Sequence, residues 1–346
     1  MSRNAQLIII ALLGWVLPAG AANAPSTPAG PPSPRVVMVQ GRSLLNAFLP
    51  DDDRVAAAFN LGLERFTGTT NPAAAWLTLV GTNDVVGLKV FSPPGQLCGT
   101  RPAVVRAIVR GLLAAGLPRS RMVIWDKRAE DLRAAGYYDL GEELGVSVAG
   151  AVQAGFDTNT FYLPDSPVIG SLVWGDLEFG QTNRDAGKKS FVSRLVSRRL
   201  TKIISIAPLL DECSAGVCGH FYSLALGSVD NTRRFDNDPG RLAVALPEII
   251  ALPAVGDHAV LYVTDALLAQ NQGGPAGFLQ FSTVLDQLWF SHDPVALDIL
   301  GQQELARERR QFHAPELHPN LETYTNAALL QLGQNQPERI PVETVR

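Results

Sequence analysis

The sequence predicts an α/β fold: a largely parallel sheet with helices on both faces and an irregular, Gly-rich insertion. Three observations predict it. Short apolar runs alternate with helix-periodic segments along most of the 346 residues, and such alternation reads as βαβ units. The composition, 46% hydrophobic and 18% charged, supplies the apolar material for a buried sheet. Polar residues fall at the carboxyl ends of the apolar runs, where open parallel sheets hold their ligands.

The N-terminus comes first. Arg3 gives a short positive region, Leu7 to Pro18 is uninterruptedly apolar, and small residues follow through Ala24. This is the layout of a secretory signal peptide over residues 1–21. Cleavage after Ala24 would leave Pro25 first, so cleavage after Ala21 is expected. Residues 22–35 form a Pro-rich linker, and residues 36–346 form a single α/β domain. Export to the periplasm or beyond implies an oxidising compartment. There a Cys213–Cys218 disulfide is expected, with Cys98 left free; the alternative is that Cys213 and Cys218 are two inert thiols.

Within the domain, Val36 to Val39 reads as a strand. Asp51 to Phe66 reads as a helix, with acids at its N-terminus and Val55, Phe59 and Leu63 on one face. Val85 to Val90 is a strand. A Pro/Gly loop follows, and Thr100 caps a helix striped by Val104, Ile108 and Leu112. Met122 to Trp125 is a strand and Arg128 to Ala135 a helix. The irregular insertion lies near 150–190. Phe191 to Leu200 reads as helix, Lys202 to Ala207 as strand, and His220 to Leu226 as helix. Val260 to Val263 and Leu288 to Phe290 are strands, and Pro294 to Arg307 is a helix capped by Asp293. Thr325 to Leu332 is a helix and Ile340 to Val345 a strand.

A net charge of −4 without a Lys/Arg-rich tract argues against nucleic acid as a partner. No later apolar run is long enough for a membrane span once the signal is cleaved. The candidate chemistry lies at strand ends. Lys89, Asp126, Asp265 and Asp293 each end or closely follow a strand, and Asp211 follows another. Gathered in one cleft, they would hold a divalent metal through oxygen or perform acid/base work. A lysine on an apolar strand is costly unless paired. Asp126 and Asp293 have a second reading as helix caps, and His292 as a structural histidine. Gly99 and Thr100, in a turn opening a helix, resemble an anion cradle.

Several segments, in order, resemble domain-of-unknown-function family 362. They are Asp84 to Val90, Gly99 to Pro102, Val123 to Lys127, Leu132 to Tyr137, Ala215 to Val217, Gly227 to Asn231, Thr264 to Leu267, Gly273 to Pro275 and Ser291 to Asp298. The resemblance spans about residue 36 to the C-terminus. It implies an α/β fold, frequent export, iron–sulfur partners in some members, and no settled reaction. It also marks Asp230, Asn231, Gly273 and Gly274 as binding candidates. The chain departs from the pattern at Phe91, at Leu209 to Cys213 and around His220 to Tyr222. Two functions are therefore expected: an enzyme acting on a small anionic substrate, metal-assisted or acid/base, or a periplasmic binding or accessory protein without catalysis.

Overall fold

The computed structural model describes residues 33–164, 187–236, 238–316 and 318–346. The signal peptide and most of the linker expected from the sequence lie outside these residues, as does much of the insertion. The strands are β1 Val36–Gln40, β2 Leu45–Asn46, β3 Leu49–Pro50, β4 Val86–Val90, β5 Met122–Asp126, β6 Ser147–Gly150, β7 Phe156–Tyr162, β8 Ser190–Ser193, β9 Lys202–Leu210, β10 Ala259–Gln270, β11 Ser282–Ser291 and β12 Val342–Val345. The helices are α1 Asp52–Thr67, α2 Pro72–Leu79, α3 Gly95–Cys98, α4 Pro102–Ala114, α5 Ala129–Ala134, α6 Tyr137–Leu144, α7 Ala151–Ala154, α8 His220–Ser228, α9 Pro239–Ile250, α10 Pro294–Gln311 and α11 Glu322–Leu329.

Eight strands make one sheet in the order β12-β1-β11-β10-β9-β4-β5-β6. Every neighbouring pair is parallel except the two involving β11, so β11 alone runs against the rest. The α/β fold expected from the sequence is thus the one observed. β4, β5 and β9 are nearly continuous apolar strands, as expected of strands covered on both faces. One core packs α8, α9, α10 and α11 against the face bearing Trp125, Ile203 and Tyr262. The other packs α1, α2, α4 and α6 against the face bearing Leu88, Ile124, Ile206 and Val263.

Local chemistry sets the helix ends. Asp51 accepts from the Arg54 N–H at the start of α1, and Gly68 closes it at φ 72°. Asp293 accepts from the Ala296 N–H and Pro294 opens α10, as the sequence predicts. Two local expectations are corrected. Phe191 to Leu200 is not an α-helix: it is β8 followed by a single wide helical turn over Leu195–Arg199. Its apolar residues instead serve the antiparallel β7–β8 pair and a bridge between Val192 and Val229. Thr100 does not cap α4. Arg101 occupies that position without a side-chain cap, and the Thr100 hydroxyl donates to the Ile206 carbonyl while accepting from the Phe91 N–H. No helix among the described residues is long and apolar enough to cross a membrane.

Candidate functional site: a cleft at the carboxyl edge of the sheet

The site is built on Lys89, the penultimate residue of β4. Register places it beside Trp125 of β5 and Ser205 of β9, on the face covered by α8. Its side chain is fully buried. The ammonium donates to Asp126 Oδ1 at 2.8 Å, to Ser223 Oγ at 2.9 Å and to the Val90 carbonyl at 2.6 Å, and it lies 5.6 Å from the Trp125 ring centroid. All three of its donors are therefore used. Burial lowers the lysine's pKa, and the neighbouring Asp126 opposes that shift.

Asp126 ends β5, and its carboxylate is fully occupied. Oδ1 accepts from Lys89 and from the Lys127 N–H at 2.7 Å; Oδ2 accepts from the Ser92 N–H at 2.8 Å and its hydroxyl at 2.7 Å. Gly227 of α8 makes the packing possible, because a Cβ there would stand 2.2 Å from Lys89 Cε. Beside the pair, His220 Nδ1 meets Ser205 Oγ at 2.9 Å and Nε2 meets Thr264 Oγ1 at 3.2 Å. Burial, with Lys89 nearby, pushes its pKa down to about 3, so the ring is neutral at pH 7.

The structure brings together only Lys89 and Asp126 of the four acid/base candidates. Asp265 sits three residues beyond Tyr262, the register partner of Ser205. Strand alternation therefore puts Asp265 on the opposite face from Lys89. There it pairs with Arg101, accepting from the backbone N–H at 2.8 Å and the guanidinium at 2.7 Å. Asp293 is at the other edge altogether. β11 is antiparallel, so its carboxyl end lies level with the amino ends of β9 and β10. At that edge Asp293 caps α10 and accepts from the Gln334 N–H at 2.7 Å. Its neighbour His292 contacts the Val260 carbonyl at 2.9 Å and packs on Phe66, with ring centroids 4.6 Å apart. The expectation of one cleft holding all four groups is corrected for these two aspartates, and His292, a binding candidate, takes its second reading as a structural histidine.

The remaining binding candidates are architectural in their visible contacts. The N–H groups of Gly99 and Thr100 are spent on the Gly95 and Phe91 carbonyls, so no anion cradle is open there. Asp230 Oδ1 holds the Phe191 N–H at 2.7 Å, and the Asn231 amide donates to the Gly187 and Lys189 carbonyls. Gly273 and Gly274, at φ 106° and 66°, shape the loop that carries Pro275 and Ala276 to the cleft. The expected disulfide is absent: Cys98, Cys213 and Cys218 are all free thiols. Cys213 is exposed, whereas Cys218 is buried in the core with its thiol donating to the Asp211 carbonyl.

The donor set does not fit a divalent metal. Asp126, Asp265 and Asp293 are occupied by protein donors, Asp211 engages Gly274 and Arg309 through Oδ2 alone, and no group of three or more His, Cys, Asp or Glu among the described residues is arranged to hold one.

Above Lys89 and Asp126 opens a cleft of 450 Å³. One wall is the β5–α5 segment, with Lys127, Arg128 and Asp131. A second is the turn after α8, with Thr232, Arg233 and Asp236. Phe91, Pro93, Tyr222 and Leu226 add apolar surface, and Asp126, Ser223 and Gly227 form the floor. Lys127 Nζ reaches across to Thr232 Oγ1 at 2.9 Å. The sequence reading missed Arg128, Asp131, Arg233 and Asp236. The basic pair directly after the β5 aspartate was the available signal for the first of these. No family model matches the chain, and no curated protein is similar to it.

Proposed function

We propose that this is an exported small-molecule-binding protein whose ligand presents an anionic group to the carboxyl-edge cleft. One observation carries the reading. Arg128 and Arg233 line the cleft above a floor whose carboxylate, Asp126, is already compensated by Lys89. Neither guanidinium donates a side-chain hydrogen bond among the described residues, so both can receive an anion. The cleft lies where an open α/β sheet binds its ligands, and 450 Å³ is a small-ligand volume. The ordered motifs that resemble domain-of-unknown-function family 362 support kinship, which we propose alongside.

The enzyme reading ranks second. Lys89 would be its base, yet all three ammonium donors are occupied and the side chain is fully buried, leaving no face for a substrate.

Calorimetry with inorganic phosphate and with 3-phenylpropionate tests the proposal. At least one should bind, and Arg128→Ala/Arg233→Ala should weaken it by about tenfold or more, the scale of one lost charge-assisted hydrogen bond. Asp293→Ala, at the opposite edge, should leave the affinity unchanged. No binding of either probe, or equal binding by the double variant, defeats the proposal.

A further inference from the structure

Charged groups around this sheet edge are nearly all matched within the protein. Lys89 pairs with Asp126, Arg101 with Asp265, and Arg309 with Asp211. The cleft walls differ. Among the described residues, Arg128, Asp131 and Arg233 make no side-chain hydrogen bond or ion pair, and Asp236 engages only Oδ1, which accepts from the Tyr222 hydroxyl at 3.1 Å. Arg128 already eases Asp131 and Lys127 already eases Asp236, but Asp236 Oδ2 accepts no hydrogen bond among the described residues.

An anion alone would satisfy half of this arrangement. It would leave Asp131 and Asp236 partly desolvated with no added counter-charge, which is unfavourable. Burial already holds both carboxylates above their ordinary range. A ligand ammonium would relieve that cost, and Asp236 Oδ2 is free to accept from it. The rest of the lining is apolar: the Phe91 and Tyr222 rings meet edge-on at 6.2 Å, beside Leu226. That surface suits a hydrocarbon or aromatic body.

We infer that the cleft takes a zwitterion of amino-acid size, its carboxylate on Arg128 or Arg233, its ammonium on Asp236, and an apolar side chain against Phe91 and Tyr222. This rests on the reading of the cleft as a binding site.

Three probes of one shape separate the alternatives in calorimetry on the whole chain: phenylalanine, 3-phenylpropionate, which lacks the ammonium, and 2-phenylethylamine, which lacks the carboxylate. Phenylalanine should bind about tenfold or more tighter than either. Asp236→Asn should weaken phenylalanine by a similar factor and leave 3-phenylpropionate unchanged; if that variant misfolds, Asp236→Ser replaces it with the same expectation. Equal affinity for 3-phenylpropionate and phenylalanine overturns the zwitterion and leaves the anion reading standing. Tightest binding by 2-phenylethylamine, or no binding of any probe, overturns both. Unchanged phenylalanine affinity in the folded carboxylate variant overturns the ammonium assignment and the inference with it.

Discussion

Lys89 shows how a single side chain organises its surroundings. A buried ammonium is tolerated because a carboxylate, a hydroxyl and a carbonyl receive it at close range. Removing one member leaves the others buried without a partner. Lys89→Met should therefore cost about 3 kcal/mol or more in urea unfolding, the range for breaking a buried pair. Lys89→Met/Asp126→Asn should regain most of that loss, because the uncompensated charge is gone. A single variant as stable as the parent would show that the pair does not hold the β4–β5 edge. The pairing was legible in the sequence: a lysine on an apolar strand demands a counter-charge, and Asp126 ends the next strand. Ser223 and Gly227 were not. They arrive from a helix more than a hundred residues away, and neither residue type announces a contact with an ammonium.

At the level of elements, β11 and α10 decided where the sequence reading succeeded and failed. Apolar runs located the sheet strands, with β6 the exception, since Ser147–Gly150 is short and weakly apolar. Runs of hydrophobic residues carry no strand direction, however. Leu288 to Phe290 reads the same whether parallel or antiparallel, so Asp293 was assigned to the wrong edge. The extents of β10 and β11 were also hidden. Thr264, Gln270, Thr283 and Gln287 break the apolar pattern, yet cross-strand pairing extends both strands through them. α10 also carries Asp298, whose carboxylate receives the His220 and Phe221 N–H groups at the start of α8. Burial pushes its pKa up to about 7, from an ordinary 3.8. The folded state then holds a proton that the unfolded chain releases. Its contribution is intact below about pH 4 and is lost as pH rises toward 7. Asp293, raised by burial to about 6, acts in the same direction over a narrower window. The urea midpoint should fall between pH 5 and pH 8, and Asp298→Asn should flatten that decline. Parallel profiles for the two proteins would refute the assignment.

Across the whole molecule, the α/β class followed from alternation alone, while the order of strands did not. Pairings such as β1 with β11 join residues too far apart in sequence for local pattern to specify. The cleft is a whole-molecule feature for the same reason, since its lining comes from four separate segments between Phe91 and Ala276. The proposed export is tested at this scale as well. Mass spectrometry of protein taken from the native envelope should find Ala22 at the N-terminus, and an intact Met1 on most molecules would refute it. The pairing of β1 bears on how the chain reaches this fold. Gln40 and Gln287 bond across 247 residues, so β1 gains its β11 partner only by closing a very long loop. Non-local closure of that kind slows folding. Until it occurs, Val36, Val37 and Val39 stand open to whatever apolar surface they meet. Refolding from denaturant should accordingly be slow and concentration-sensitive.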